Sequence, residues 1–207
     1  MKIIFLVYYF TCFFGALFYS PMVFSQNRTH EVCQNKSIYD TILNIKIAYS
    51  NQDYTSFLLL FPNSMEQFTE IYGYDDANGK KPLYDEAFGH IKYLFNEGTK
   101  ENIDTLFTKV IGIAINGKWD ADAVNYFQDE FITAIKKYPK QFLFVISSKT
   151  REESSSVWYF LFDGPHPSNT KEDYNDMYNL IKPLSNMQAN ILKQQFEILL
   201  KEERDQD

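Results

Sequence analysis

The chain has 207 residues, among them 19 Phe and 15 Tyr, and a formal net charge of −7. Aromatic content this high suits a packed domain rather than a disordered chain. The acidic balance argues against nonspecific nucleic-acid binding, which needs phosphate-neutralising Lys and Arg, and against anionic membrane surfaces.

Met1-Lys2 precedes an apolar run from Ile3 to about Phe18, the pattern of a secretory signal peptide. Pro21 breaks the run, and Val23-Phe24-Ser25 offers a peptidase site, so cleavage is expected after Ser25 with Gln26 as the new N-terminus. The signal peptide is therefore residues 1–25, and the membrane is met only through this segment if it stays uncleaved. About 180 residues remain, enough for one domain with a real core. The periplasm or the extracellular space is the expected location. Cys33 is the one cysteine left and has no intrachain disulfide partner, a usage closer to a bacterial envelope protein than to a secreted eukaryotic domain.

Residues 26–36 read as a polar, flexible lead-in. A single helical domain is expected over 37–200. Ser37 and Asp40 look like a helix start, with Ile38, Ile42, Ile45 and Tyr49 at helical spacing. A short helix follows from Asp53 to Phe61 and stops at Pro62. Ser64 with Gln67 forms the next capping box, and Gly73 suits a C′ position. Tyr74 to Pro82 reads as a polar loop with an Asn78-Gly79 turn. A helix from about Leu83 to Glu97 should turn Tyr84, Phe88, Ile91 and Phe95 inward and end at Gly98.

Thr99 can cap the following helix, where Ile103, Phe107, Val110 and Ala114 align. Asn116-Gly117 ends it, and Asp120 can cap another carrying Val124, Phe127, Phe131, Ile135 and Tyr138. The short link makes these two an antiparallel hairpin. The apolar runs Phe142–Ile146 and Val157–Phe162 fit buried helices or a β-hairpin, with helices favoured because Phe and Leu outnumber β-branched residues. Ser154-Ser155-Ser156 reads as a cap or loop. Thr170 and Asp173 start a helix with Tyr174, Met177, Tyr178 and Ile181, interrupted at Pro183. A last helix carries Met187, Ile191, Phe196 and Leu199, and 201–207 is a charged, frayed tail. The fold class is all-α, an irregular array of antiparallel helix pairs. The alternative is α+β with one small hairpin near 142–162.

Chemistry-bearing motifs are sparse. His30 falls in the lead-in and His90 mid-helix, at the core edge or surface. No two histidines stand one helical turn apart, so no metal site and no cofactor are expected. Asp163 and His166, on a loop stiffened by Pro165 and Pro167, are the best acid–base pair, and a hydrolase or metal-dependent enzyme centred on them is the competing reading. With Gly79 at the sixth position of a calcium loop, Tyr74 would fall at the first and Pro82 inside, so calcium binding is not expected. The aromatic-acidic loops are the leading candidate binding surface: Tyr72, Tyr74, Asp75 and Asp76 in one, Trp158, Asp163 and His166 in the other. Such residues suit contact with another protein, and a glycan is the further possibility.

Phe61-Pro62-Asn63-Ser64 with Phe68, then Ile71-Tyr72-Gly73-Tyr74-Asp75 and Leu161-Phe162-Asp163-Gly164-Pro165-His166-Pro167, resemble uncharacterised exported helical proteins of Gram-negative bacteria. The resemblance implies a helical fold and an envelope location, carries over no catalytic residue, and brings an immunity-type role into view. The function expected is a non-enzymatic protein-binding module of the envelope.

Overall fold

A computed structural model describes residues 38–165 and 167–206, without the side chains of Pro167 and Ser168. The predicted signal peptide, the lead-in, His30, Cys33 and His166 lie outside the described residues. Two units divide at Asp40–Thr41, and the fold described below is that of the second.

Helix α1 spans residues 38–50. The others are α2 (Tyr54–Leu60), α3 (Met65–Tyr72), α4 (Ala87–Glu101), α5 (Ile103–Ala114), α6 (Asp122–Lys137), α7 (Pro139–Ile146), α8 (Arg151–Phe160), α9 (Lys171–Ile181) and α10 (Asn186–Gln206). The class is all-α, and 142–162 holds the end of α7, a turn and α8 rather than a β-hairpin. The only strands among the described residues, β1 (Tyr74–Asp75) and β2 (Gly79–Lys80), pair as a small antiparallel hairpin within the predicted polar loop.

Local signals place most boundaries. Asp53 caps α2, accepting from Ser56 N at 3.1 Å. Ser64 caps α3, and Gln67 reaches back to Asn63 N at 2.9 Å rather than to the cap itself. Gly73 follows α3 with extended backbone (φ −76°), so no left-handed cap forms there. Its lack of a side chain matters for space: a Cβ would stand 2.5 Å from Thr69 O and 2.7 Å from Asp120 Oδ2.

Several boundaries differ from expectation. Helix α4 runs through Gly98 to Glu101, since nearby Leu106 and the Tyr54 hydroxyl fill the space a side chain would need. Asn102, not Thr99, caps α5 by accepting from Thr105 N at 3.0 Å, while Thr99 bonds back to Asn96 O. Ala121 stands at the α6 cap position in place of Asp120. Thr150 with Glu153 makes the capping box of α8, so Ser154-Ser155-Ser156 lies inside the helix. The C-terminal segment stays helical to Gln206, tied by Tyr159 Oη donating to Glu202 Oε2 at 2.7 Å.

The largest departure concerns pairing. Helix α6 lies chiefly along α4, and α5 along α4 and α7, so α5 and α6 are not a packed hairpin. Three rungs join α4 and its leading turn to α6. Tyr84 Oη donates to Asp122 at 2.8 Å, the Phe88 and Tyr126 rings meet edge-on at 5.3 Å, and Lys92 faces Glu130 at 3.7 Å. Each rung advances four residues on both elements, so the two helices run parallel. This outward ladder takes Phe88 away from the core, leaving it 52% exposed, and the face turned inward is Ala87, His90, Ile91, Leu94 and Phe95. Met187 on α10 is likewise exposed.

The core is a run of aromatic contacts. Phe127 meets Phe68 at 5.4 Å and Phe95 at 5.6 Å, Phe142 meets Phe107 at 5.6 Å, and Trp158 caps the run at 5.2 Å from Phe142. Edge-to-face and tilted contacts of this kind add to the burial of the rings themselves. Several polar groups that enter are paired, while the buried Tyr54 and Tyr93 hydroxyls have no hydrogen-bond partner among the described residues. Gln128 Nε2 donates to Phe160 O and Asp163 O, and Lys109 Nζ donates to Phe61 O and Asn63 Oδ1 at 2.7 Å each. Partial burial lowers the Lys109 pKa to about 8.

Candidate functional site

Two of the predicted binding residues are core residues. Tyr72 and Trp158 have no exposed surface. Tyr72 stacks on Phe61 at 5.5 Å, and its hydroxyl lies 3.1 Å from His90 Nδ1. Trp158 donates from Nε1 to Gln188 Oε1 at 2.8 Å. Each polar atom is satisfied inside, so neither ring costs an unpaired donor and neither offers contact area. His90 is also buried rather than at an edge or surface.

Tyr74, Asp75 and Asp76 do lie at the surface, on the β1–β2 hairpin. Asp75 Oδ1 accepts from Ala77 N at 2.9 Å and Asn78 N at 2.8 Å, which holds its pKa below the ordinary carboxylate value and closes the turn. Gly79 then takes a φ of +79°, which an L side chain rarely adopts. Tyr74 is 46% exposed and its ring meets Tyr84 at 5.9 Å.

Asp163 is partly buried, and its Oδ2 accepts from Trp119 N at 2.8 Å. Burial raises its pKa above the ordinary value, against the lowering effects of that hydrogen bond and of Lys118. The carboxylate therefore anchors the loop between α5 and α6. The paired role with His166 lies outside the described residues. Among the described residues no group of three or more His, Cys, Asp or Glu is placed to hold a metal ion, and no helix is long and apolar enough to cross a membrane.

The loop from Ile115 to Ala121 connects the two predicted loops. Asn116 sits at φ +57° and donates from N to Ser156 Oγ at 3.1 Å. Gly117 is packed so closely that a Cβ would fall 2.9 Å from the Phe160 ring. The Asp120 carboxylate lies against Gly73, and Trp119 lies against Asp163. Trp119 Nε1 also donates to Asn125 Oδ1 at 2.8 Å, leaving its ring 37% exposed.

Two ring pairs, Tyr74 with Tyr84 and Phe88 with Tyr126, lie along the α4–α6 ladder, and Trp119 is bonded to Asn125 on the same α6 helix. Carboxylates and lysines rim these rings: Asp75 faces Lys81 at 3.5 Å, and Asp85 pairs with Lys80. The Asp122 bond raises the Tyr84 pKa above the ordinary phenol value. Sequence reasoning passed over Trp119, Phe88 and Tyr126. A signal for Trp119 was present, because one of only two tryptophans sits between polar Lys118 and Asp120 just after an Asn-Gly turn. Phe88 had none, since helical spacing assigns it to the core stripe, whereas Tyr126 stands off the stripe of Val124, Phe127 and Phe131 and so was legible as a non-core ring.

The arrangement can supply rigid, amphipathic contact area. It assembles no nucleophile, general base and orienting group in hydrogen-bond reach of one another among the described residues. Comparison with protein families, curated proteins and solved structures finds no significant match to this chain.

Proposed function

We propose that this protein is an exported, non-enzymatic binding module that grips another protein through the Tyr74–Tyr84–Phe88–Tyr126–Trp119 face. The observation that carries the reading is the fixation of exposed Trp119 and half-buried Tyr84 by polar bonds at their edges. Trp119 is pinned through both its backbone N and its Nε1, and the Tyr84 hydroxyl is held by Asp122. Rings already ordered in the free protein lose little further entropy on binding, and such aromatic anchors dominate protein interfaces. The immunity-type role implied by the resemblance is one form of this activity.

Affinity capture with the full chain tests it. A stoichiometric protein partner should be retained by the unaltered protein and by His166→Ala. Retention should fall about tenfold or more with Tyr74→Ala, Phe88→Ala or Trp119→Ala, the loss expected when an interface anchor is truncated. Substrate turnover abolished by His166→Ala, or zinc held tightly by the purified protein, would overturn the reading in favour of an enzyme.

Export belongs to the same proposal and is supported by Lys2, the apolar run after it and the Val23-Phe24-Ser25 site. Mass spectrometry of the envelope fraction should find Gln26 as the first residue. A membrane-bound chain retaining Met1 is the contrary result.

A further inference from the structure

We propose, resting on that reading, that the partner meets this face with a basic segment whose Arg or Lys side chain stacks on Trp119 beside Asp120 and Asp122. Charge favours a basic partner. Asp75 and Asp85 are occupied by Lys81 and Lys80, but among the described residues no Lys or Arg pairs with Asp76, Asp120 or Asp122. Asp122 takes only the neutral Tyr84 hydroxyl. Even with Lys118 adjoining Trp119, Asp76, Asp120 and Asp122 outnumber it, and the chain as a whole stands at −7. Complementary charge steers encounter and sets partner choice.

Ring contacts favour a cation independently of net charge. The chain's own cations already dock on the rings of this face: Lys80 Nζ lies 5.2 Å from the Tyr84 centroid, and Lys92 Nζ lies 5.0 Å from that of Phe88. Among the described residues no cation stands over Trp119, although an indole is the best of the aromatic receptors for one. Asn125 holds the indole by its Nε1–H edge, so hydrogen bonding has not consumed the π face. A partner's guanidinium or ammonium would do on Trp119 what the internal lysines do on Tyr84 and Phe88.

Short peptides of Gly-Arg, Gly-Gln and Gly-Glu repeats, titrated into the full chain, test this. Trp158 is buried, so the exposed Trp119 reports by fluorescence. The Gly-Arg peptide should shift Trp119 emission saturably, and its affinity should weaken as salt rises. Asp122→Asn keeps an oxygen acceptor for Tyr84 and removes only charge; calorimetry should show affinity down about tenfold, one desolvated charge contact's worth. Trp119→Phe keeps a ring and should retain more affinity than Trp119→Ala. Equal binding of all three peptides, or affinity unchanged in Asp122→Asn, overturns the basic-partner proposal. A Trp119-dependent response to the Gly-Gln or Gly-Glu peptide but not to Gly-Arg also overturns it while sparing the protein-binding reading. A neutral oligosaccharide that saturates Trp119 while Gly-Arg is silent overturns both.

Discussion

Phe127→Ala is expected to cost about 3–5 kcal/mol of stability, the range for emptying a fully buried phenylalanine site. Phe127 has no exposed surface and touches rings from three other helices: Phe68 on α3 at 5.4 Å, Phe95 on α4 at 5.6 Å and Phe160 on α8 at 6.0 Å. Aromatic rings held from different helices cannot collapse into the gap without moving those helices, so most of the cavity should persist. Such a loss is a large share of the roughly 5–15 kcal/mol that holds a domain together. Urea denaturation measures it. A loss below about 1 kcal/mol would mean that the neighbouring rings relax into the space. Phe88→Ala is the control, because its exposed ring should change stability by about 1 kcal/mol or less while weakening partner capture.

Acid should destabilise the protein through His90. Burial lowers its pKa from 6.5 to about 4, outweighing the nearby Glu86 carboxylate, which raises it, with Lys46 adding to the lowering. The unfolded chain therefore binds a proton near pH 6.5 that the folded chain refuses until about pH 4. Stability is full above pH 6.5, falls across that window, and stops falling below it, for a total of about 3 kcal/mol. His90→Phe removes the titration and leaves the Tyr72 hydroxyl without its partner, a fixed cost that does not vary over this range. The variant should be less stable at neutral pH and show a shallower slope between pH 6.5 and 4. Parallel slopes for the two proteins would falsify the assignment of this acid sensitivity to His90.

The outward turn of Phe88 and the inward turn of His90 are one event with one cause. A helix set four residues later than expected, from Ala87 to Glu101, lies along α6 so that Tyr84, Phe88 and Lys92 form the ladder and His90 meets Tyr72. Apolar spacing could not choose between these faces, because Phe88, Ile91 and Phe95 satisfy one helical stripe as well as Ala87, His90, Ile91, Leu94 and Phe95 satisfy the other. The same holds for Trp158. Read as the entrance to a loop, it suggested contact area; inside α8 it shares an inward stripe with Ser154, Val157 and Leu161.

By itself the sequence determined the helical class, the caps at Asp53 and Ser64, the breaks at Pro62 and Pro183, and the inward positions of Phe107, Val110, Val124, Phe127 and Phe131. Those are decided within a turn or two of chain, by capping hydrogen bonds, missing donors and strong periodicity. Tertiary structure alone decided that α6 runs parallel to α4 and that the α5–α6 loop is pinned between Gly73 and Asp163. It also decided that Trp119, rather than Tyr72 or Trp158, is the exposed ring at that junction. These depend on which surfaces bury the most apolar area together, a comparison among distant segments that no local pattern encodes.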